Sequence, residues 1–128
     1  MKPETEDFLE RAREDLADAR KIAALPLPKI AARSAYFVAF HAAEAFIYEL
    51  TGKVVKTHNG VRSEFSRLRK DLPGAETWLS KFLAEAYVFK EMSDYPSGKR
   101  LVTTADEANE AIETAARFVD RIVELLTT

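Results

Sequence analysis

Residues 28–50 read PKIAARSAYFVAFHAAEAFIYEL. The formal charges in this stretch are Lys29, Arg33, Glu44 and Glu49, and the rest is largely Ala, Phe, Tyr, Val and Ile. A helix that is apolar nearly all round is buried nearly all round. The stretch therefore predicts a central helix, about 28–51, with other helices packed around it. No segment of four or more residues alternates cleanly enough to compete as a strand.

Working outward, proline and glycine punctuate the chain. Pro26 and Pro28 fall together, Gly52 and Gly60 flank a short polar stretch, Pro73-Gly74 forms a turn pair, and Pro96 with Gly98 makes another break. Proline lacks a backbone donor and glycine favours special dihedrals, so such clusters end helices. Four junctions leave five segments, predicting helices over 4–24, 28–51, 57–71, 75–94 and 104–126. Phe8, Ala12, Leu16, Ala19 and Ala23 recur at helical spacing in the first. Val61, Phe65, Leu68 and Leu72 do so in the third. Trp78, Phe82, Ala86 and Phe89 mark the fourth, and Ala108, Ile112, Ala115, Val119, Ile122 and Leu126 the fifth. Thr104-Ala105-Asp106-Glu107 opens the last segment as a capping box, in which hydroxyl and carboxylate satisfy free amides. The expectation is an all-α, antiparallel bundle of five helices in one domain, 1–128.

Composition supports a folded chain and removes several functions. The 128 residues are one ordinary domain, and 47% hydrophobic with 31% charged is a globular profile. Without Cys there is no disulfide scaffold, thiolate zinc site, iron–sulfur cluster or cysteine nucleophile. A net charge of −2 excludes a strongly basic coat for nucleic acid, but not a locally basic groove. No apolar run approaches the roughly 20 residues of a membrane helix. The acidic start, Met1 to Asp7, does not read as a signal peptide. These features predict a soluble, cytoplasmic protein that does not act at a membrane.

The central segment also carries polar groups. At about 100° per residue, Arg33, Phe37, Phe40, His41, Glu44 and Tyr48 project within one sector of about 100°. Buried charges are costly unless paired. Three roles are open for this stripe. One is an internal polar network in which Glu44 pairs Arg33 or a neighbouring helix. Another is a homodimer seam, since aromatic and Arg side chains suit interface cores. The third is a site in which Arg33 holds a phosphate, His41 moves a proton and Glu44 and Tyr48 support them.

A basic segment follows. Between Gly52 and Lys70 the bases are Lys53, Lys56, Arg62, Arg67, Arg69 and Lys70, against Glu64 alone. The last segment compensates with Asp106, Glu107, Glu110, Glu113, Asp120 and Glu124. Thr57 reads as an N-cap, which places free amides beside Lys56 and His58, a combination suited to an anion. The alternative is a solvated basic surface with an ordinary cap. No Gly-rich phosphate loop is present. Catalytic motifs are scarce: His41 and His58 are the two histidines, so HExxH is absent, as is Gly-x-Ser-x-Gly. No metal ligand set or cofactor is expected. Trp78 sits at apolar spacing and reads as core.

Three stretches resemble one family. Ala32-Arg33-Ser34-Ala35-Tyr36-Phe37-Val38-Ala39-Phe40-His41-Ala42-Ala43-Glu44-Ala45 is similar to the central helix of small prokaryotic HEPN-domain proteins. Lys56-Thr57-His58-Asn59-Gly60-Val61 matches their Lys-Thr-His-x-Gly-Val turn. Ala86-Tyr87-Val88-Phe89-Lys90-Glu91-Met92-Ser93-Asp94-Tyr95 resembles the end of their fourth helix. The resemblance spans essentially the whole chain. It implies a helical bundle, usually dimeric, with a nucleotide- or RNA-related role. Many members are metal-independent ribonucleases, and several are toxins neutralised by a minimal nucleotidyltransferase partner. Their nuclease signature is Arg, four to six residues, then His. Here seven residues separate Arg33 from His41, which lie about 80° apart on one face.

The sequence is thus read as a HEPN-domain protein that binds RNA or a nucleotide phosphate. It would work as an interaction module with a partner such as a minimal nucleotidyltransferase, and as a homodimer. The alternatives are a metal-independent ribonuclease, with His41 as general base or acid and Arg33 on the phosphorane, and a purely structural bundle. Lys56, Thr57 and His58 are candidate phosphate contacts. Tyr36, Lys90, Asp94 and Tyr95 are motif residues without an assigned role.

Overall fold

The computed structural model describes residues 1–95 and 102–128. Five helices account for most of them: α1 (Pro3–Ala23), α2 (Pro28–Thr51), α3 (His58–Lys70), α4 (Thr77–Asp94) and α5 (Ala105–Thr127). Among the described residues there is no strand. The expected bounds hold to within two residues, and the expected break at Pro96 and Gly98 lies outside the described residues.

Local chemistry sets the ends. Pro28 opens α2 in the first turn, where a missing N–H is harmless. Gly52 closes it in the left-handed conformation, φ 71°, and donates to the Tyr48 carbonyl at 2.8 Å. The capping box at Thr104 and Glu107 is formed. Thr57 caps α3, its hydroxyl accepting from Gly60 N at 2.9 Å.

Helix α2 is packed by all four others. Ala31, Ala32, Ala35, Ala39, Ala42, Ala43 and Ala45 are wholly buried along it. Small side chains let neighbouring backbones come close, and the neighbours supply the bulk: Leu9, Phe65, Leu79, Leu83, Phe118 and Ile122. Helix α1 runs antiparallel to α2. Thr5 and Lys2 N both bond Glu49 at 2.9 Å at one end, and Asp15 meets His41 further along. Helix α4 is antiparallel too, with Tyr87 against Tyr36 and Asp94 against Arg33.

Helix α3 enters differently. His58 meets Tyr36 and Phe65 meets Phe46, so α3 runs in the same sense as α2. The non-helical segment 53–57 makes this feasible. Five residues of extended chain cover roughly the length of eleven helical ones. The segment returns along α2 and starts α3 part-way down, at the level of Tyr36 and Phe40.

The cap of α3 is tight. A Cβ on Gly60 would lie 2.7 Å from Thr57 Oγ1 and 2.8 Å from Val55 Cγ1. Gly60→Ala is therefore expected to lower stability by about 1–3 kcal/mol, the scale of a lost cap or an overpacked contact. Exposed Asn59→Ala should change it little. Urea denaturation of the two variants checks this; equal midpoints would mean that the cap does not hold α3.

Candidate functional site

His58 is the first residue of α3, and its ring turns inward among aromatic side chains. The ring centroids of Phe40, Tyr36, Tyr87 and Phe37 lie 4.7, 5.6, 5.7 and 6.0 Å away. Tyr36 is fully buried, and its hydroxyl oxygen is 2.7 Å from His58 Nδ1. Burial pushes the Tyr36 phenol above its ordinary range, so it keeps its proton and donates it to Nδ1. The His58 proton then sits on Nε2. Burial, with Lys90 and Arg62 nearby, holds His58 below the usual imidazole range, so it is neutral at neutral pH.

Cations from three helices surround this aromatic cluster. Arg62, on α3, lies over the Tyr87 ring at 3.8 Å. Its Nη1 is buried and has no hydrogen-bond partner among the described residues. Lys90, on α4, is 8% exposed, and its ammonium lies 5.6 Å from the Tyr87 ring and 5.2 Å from the Tyr95 ring. Arg33, on α2, lies over Phe37 at 4.8 Å. One carboxylate joins two of these cations. Asp94 Oδ1 accepts from Arg33 Nε at 2.6 Å, and Oδ2 is 3.3 Å from Lys90 Nζ. The Arg33 bond, helped by Lys90, holds Asp94 below the usual carboxylate range.

The structure divides the residues singled out in the sequence. Arg33, Tyr36, His58, Lys90 and Asp94 come together, with Tyr95 at the exposed edge. His41 turns to α1 instead. Its Nδ1 is 2.7 Å from Glu44 Oε1, and its Nε2 is 3.3 Å from Asp15 Oδ2, off the line of a hydrogen bond. Burial raises Asp15 above the usual carboxylate range against the pull of His41. Phe37 stands between Arg33 and His41, in contact with both. Glu44 therefore partners His41, and Arg33 takes Asp94. Tyr48 packs on Phe8 beneath Lys2. Lys56 and Thr57 are exposed, and Thr57 is committed to its cap. Arg62 and Tyr87 were not singled out as site residues. Their signal is spacing: Arg62 follows His58 by one helical turn, and Tyr87 precedes Lys90 by one.

Among the described residues no group of three or more His, Asp or Glu could hold a metal, and no helix is long and apolar enough to cross a membrane. A family model described as HEPN domain matches residues 5–126. The chain belongs to the HEPN family. Comparison with curated proteins gives no significant match. The HEPN match takes in the whole aromatic and cationic cluster, since Arg33, Tyr36, His58, Arg62, Tyr87, Lys90 and Asp94 all lie within it.

The Tyr36–His58 bond carries two expectations for this HEPN domain. Tyr36→Phe leaves Nδ1 of a half-buried ring without its donor and should cost about 1–3 kcal/mol, read from urea melts. An unchanged melt would show that Nδ1 finds water instead. The second concerns pH. The unfolded chain binds the His58 proton near the ordinary value of about 6.5, and the folded chain binds it at lower pH. Stability from neutral His58 is therefore present above that range and lost as pH falls. His58→Gln should flatten that fall relative to wild type. Parallel pH profiles of the two proteins would contradict it.

Proposed function

We propose that this HEPN domain binds the phosphate of a nucleotide or of RNA where Arg33, Arg62 and Lys90 converge beside His58. The observation that carries the reading is the charge: three cations from three helices gather around an aromatic cluster, and Asp94 pairs with two of them, Arg33 and Lys90. The buried Arg62 Nη1 adds support, because a buried donor without an acceptor is costly and a phosphate oxygen would satisfy it. Neutral His58 can donate from Nε2 to the same anion, and exposed Tyr95 offers a face on which a base can stack.

The module reading adds a macromolecular partner, a second copy of the chain or a minimal nucleotidyltransferase, as the resemblance implies. Exposed Leu27 and Ile30 at the start of α2, and Val88 on α4, are apolar surface that such a partner would cover. A nucleotide or RNA ligand fits a cytoplasmic setting. The ribonuclease reading rests on Arg33 and His41 sharing one face of α2. Binding is preferred because His58, rather than His41, meets Tyr87, the ring against which Arg62 and Lys90 lie.

Anisotropy titration of a labelled single-stranded RNA, at several salt concentrations, tests the binding reading. Affinity should fall with salt as counterions are released. Arg62→Ala and Lys90→Ala should each weaken binding and lower the salt slope by about one phosphate contact. Binding that is unchanged in both variants would place the anion elsewhere. The same RNA incubated with EDTA addresses cleavage: loss of a wild-type activity in both Arg33→Ala and His41→Ala would favour the ribonuclease.

A further inference from the structure

We infer that Asp94 is an internal competitor at the anion site, its carboxylate occupying the place on Arg33 and Lys90 that a ligand phosphate takes. The inference rests on the phosphate-binding reading above. Carboxylate and phosphate present oxygens to a guanidinium in the same fork geometry. Asp94 uses that geometry here: Oδ1 is 2.6 Å from Arg33 Nε, and Oδ2 is 3.4 Å from Arg33 Nη2 and 3.3 Å from Lys90 Nζ.

Helix α4 itself gives Asp94 no reason to be acidic. It is the last residue of the helix, where the backbone dipole disfavours negative charge. Its partner Lys90 is four residues earlier, the less favourable order for a helical ion pair. What holds the carboxylate is the cation pair. The cations, in turn, have other supports. Arg33 rests on Phe37, and Lys90 lies near the Tyr87 and Tyr95 rings. They stay in place when Asp94 leaves. Among the described residues Arg62 has no such carboxylate, so two of the three cations are engaged and the third keeps an unpaired donor for an incoming anion. The Asp94 side chain is 25% exposed, so rotation about its own bonds suffices for the exchange. Ligand affinity at this site is therefore set by displacement of Asp94 and not by the cations alone.

Isothermal titration with ATP at fixed low salt tests this, using wild type, Asp94→Asn, Asp94→Glu and Glu91→Gln, with folding checked by circular dichroism. Asp94→Asn keeps the shape and removes the competing charge, so it should tighten binding on the order of tenfold. Asp94→Glu keeps a competing carboxylate and should stay near wild type. Glu91→Gln removes a charge from the same helix that bonds neither Arg33 nor Lys90, and should change affinity little. Asp94→Ser serves as a second neutral variant if Asp94→Asn folds poorly. Equal or weaker binding in the neutral Asp94 variants, with wild type binding ATP, would overturn the competitor and leave the binding reading standing. An equal gain in Glu91→Gln would reduce the effect to general charge and overturn it as well. Binding in none of the variants, at concentrations where the same proteins are folded, would overturn the competitor and the nucleotide form of the binding reading, leaving the RNA titration to decide the other.

Discussion

The burial of α2 over most of its surface is the constraint from which the rest of the structure follows. Its alanines bring four helices onto one axis, and that closeness makes a polar group buried on α2 costly unless it is paired. Tyr36 is the test of this. Its ring is fully enclosed, so its hydroxyl must find a partner inside the protein, and His58 provides it. One hydrogen bond thus links the core to the first residue of α3. Through His58 it also fixes how the aromatic cluster faces Arg62 and Lys90. Core packing and the geometry of the cationic cluster share a single side chain.

Polar groups on α2 are resolved in two directions, and the division explains their roles. Towards α1, His41 sits between Asp15 and Glu44, and the ends of the helix pair are tied by Thr5, Lys2 and Glu49. Acids lie beside both His41 and Lys2 there. Towards α3 and α4 the balance reverses, and cations exceed acids. The same helix therefore has a neutralised side that holds the fold and an electropositive side suited to a ligand.

How much of this was legible in the sequence depends on the distance over which each feature is determined. Helices and their ends were readable, because proline, glycine and the Thr104–Glu107 box act within a few residues. Burial of 28–50 followed from its lack of charge. The angle of about 80° between Arg33 and His41 was also readable, since it depends only on helical period. Which carboxylate each would meet was not. Asp94 is sixty-one residues from Arg33, and Asp15 lies on another helix from His41. The sequence likewise grouped Lys56, Thr57 and His58 as candidate phosphate contacts around one cap. In the fold the cap faces solvent while the adjacent ring turns into the aromatic cluster. That inward turn depends on where segment 53–57 delivers the chain, which no local pattern encodes.

That segment has an evolutionary corollary. Most surface connections tolerate insertion and deletion, because loop closure costs grow slowly with length. Residues 53–57 are different, because they serve as a ruler laid along α2 between two fixed marks, the left-handed stop at Gly52 and the Thr57 cap. One residue removed would pull His58 out of reach of Tyr36, and slack added would let the ring drift along the groove. Descendants of this fold are therefore free to vary at the exposed Lys53, Val54 and Lys56, while Val55, the Thr57 cap and the length of the segment are inherited with the core.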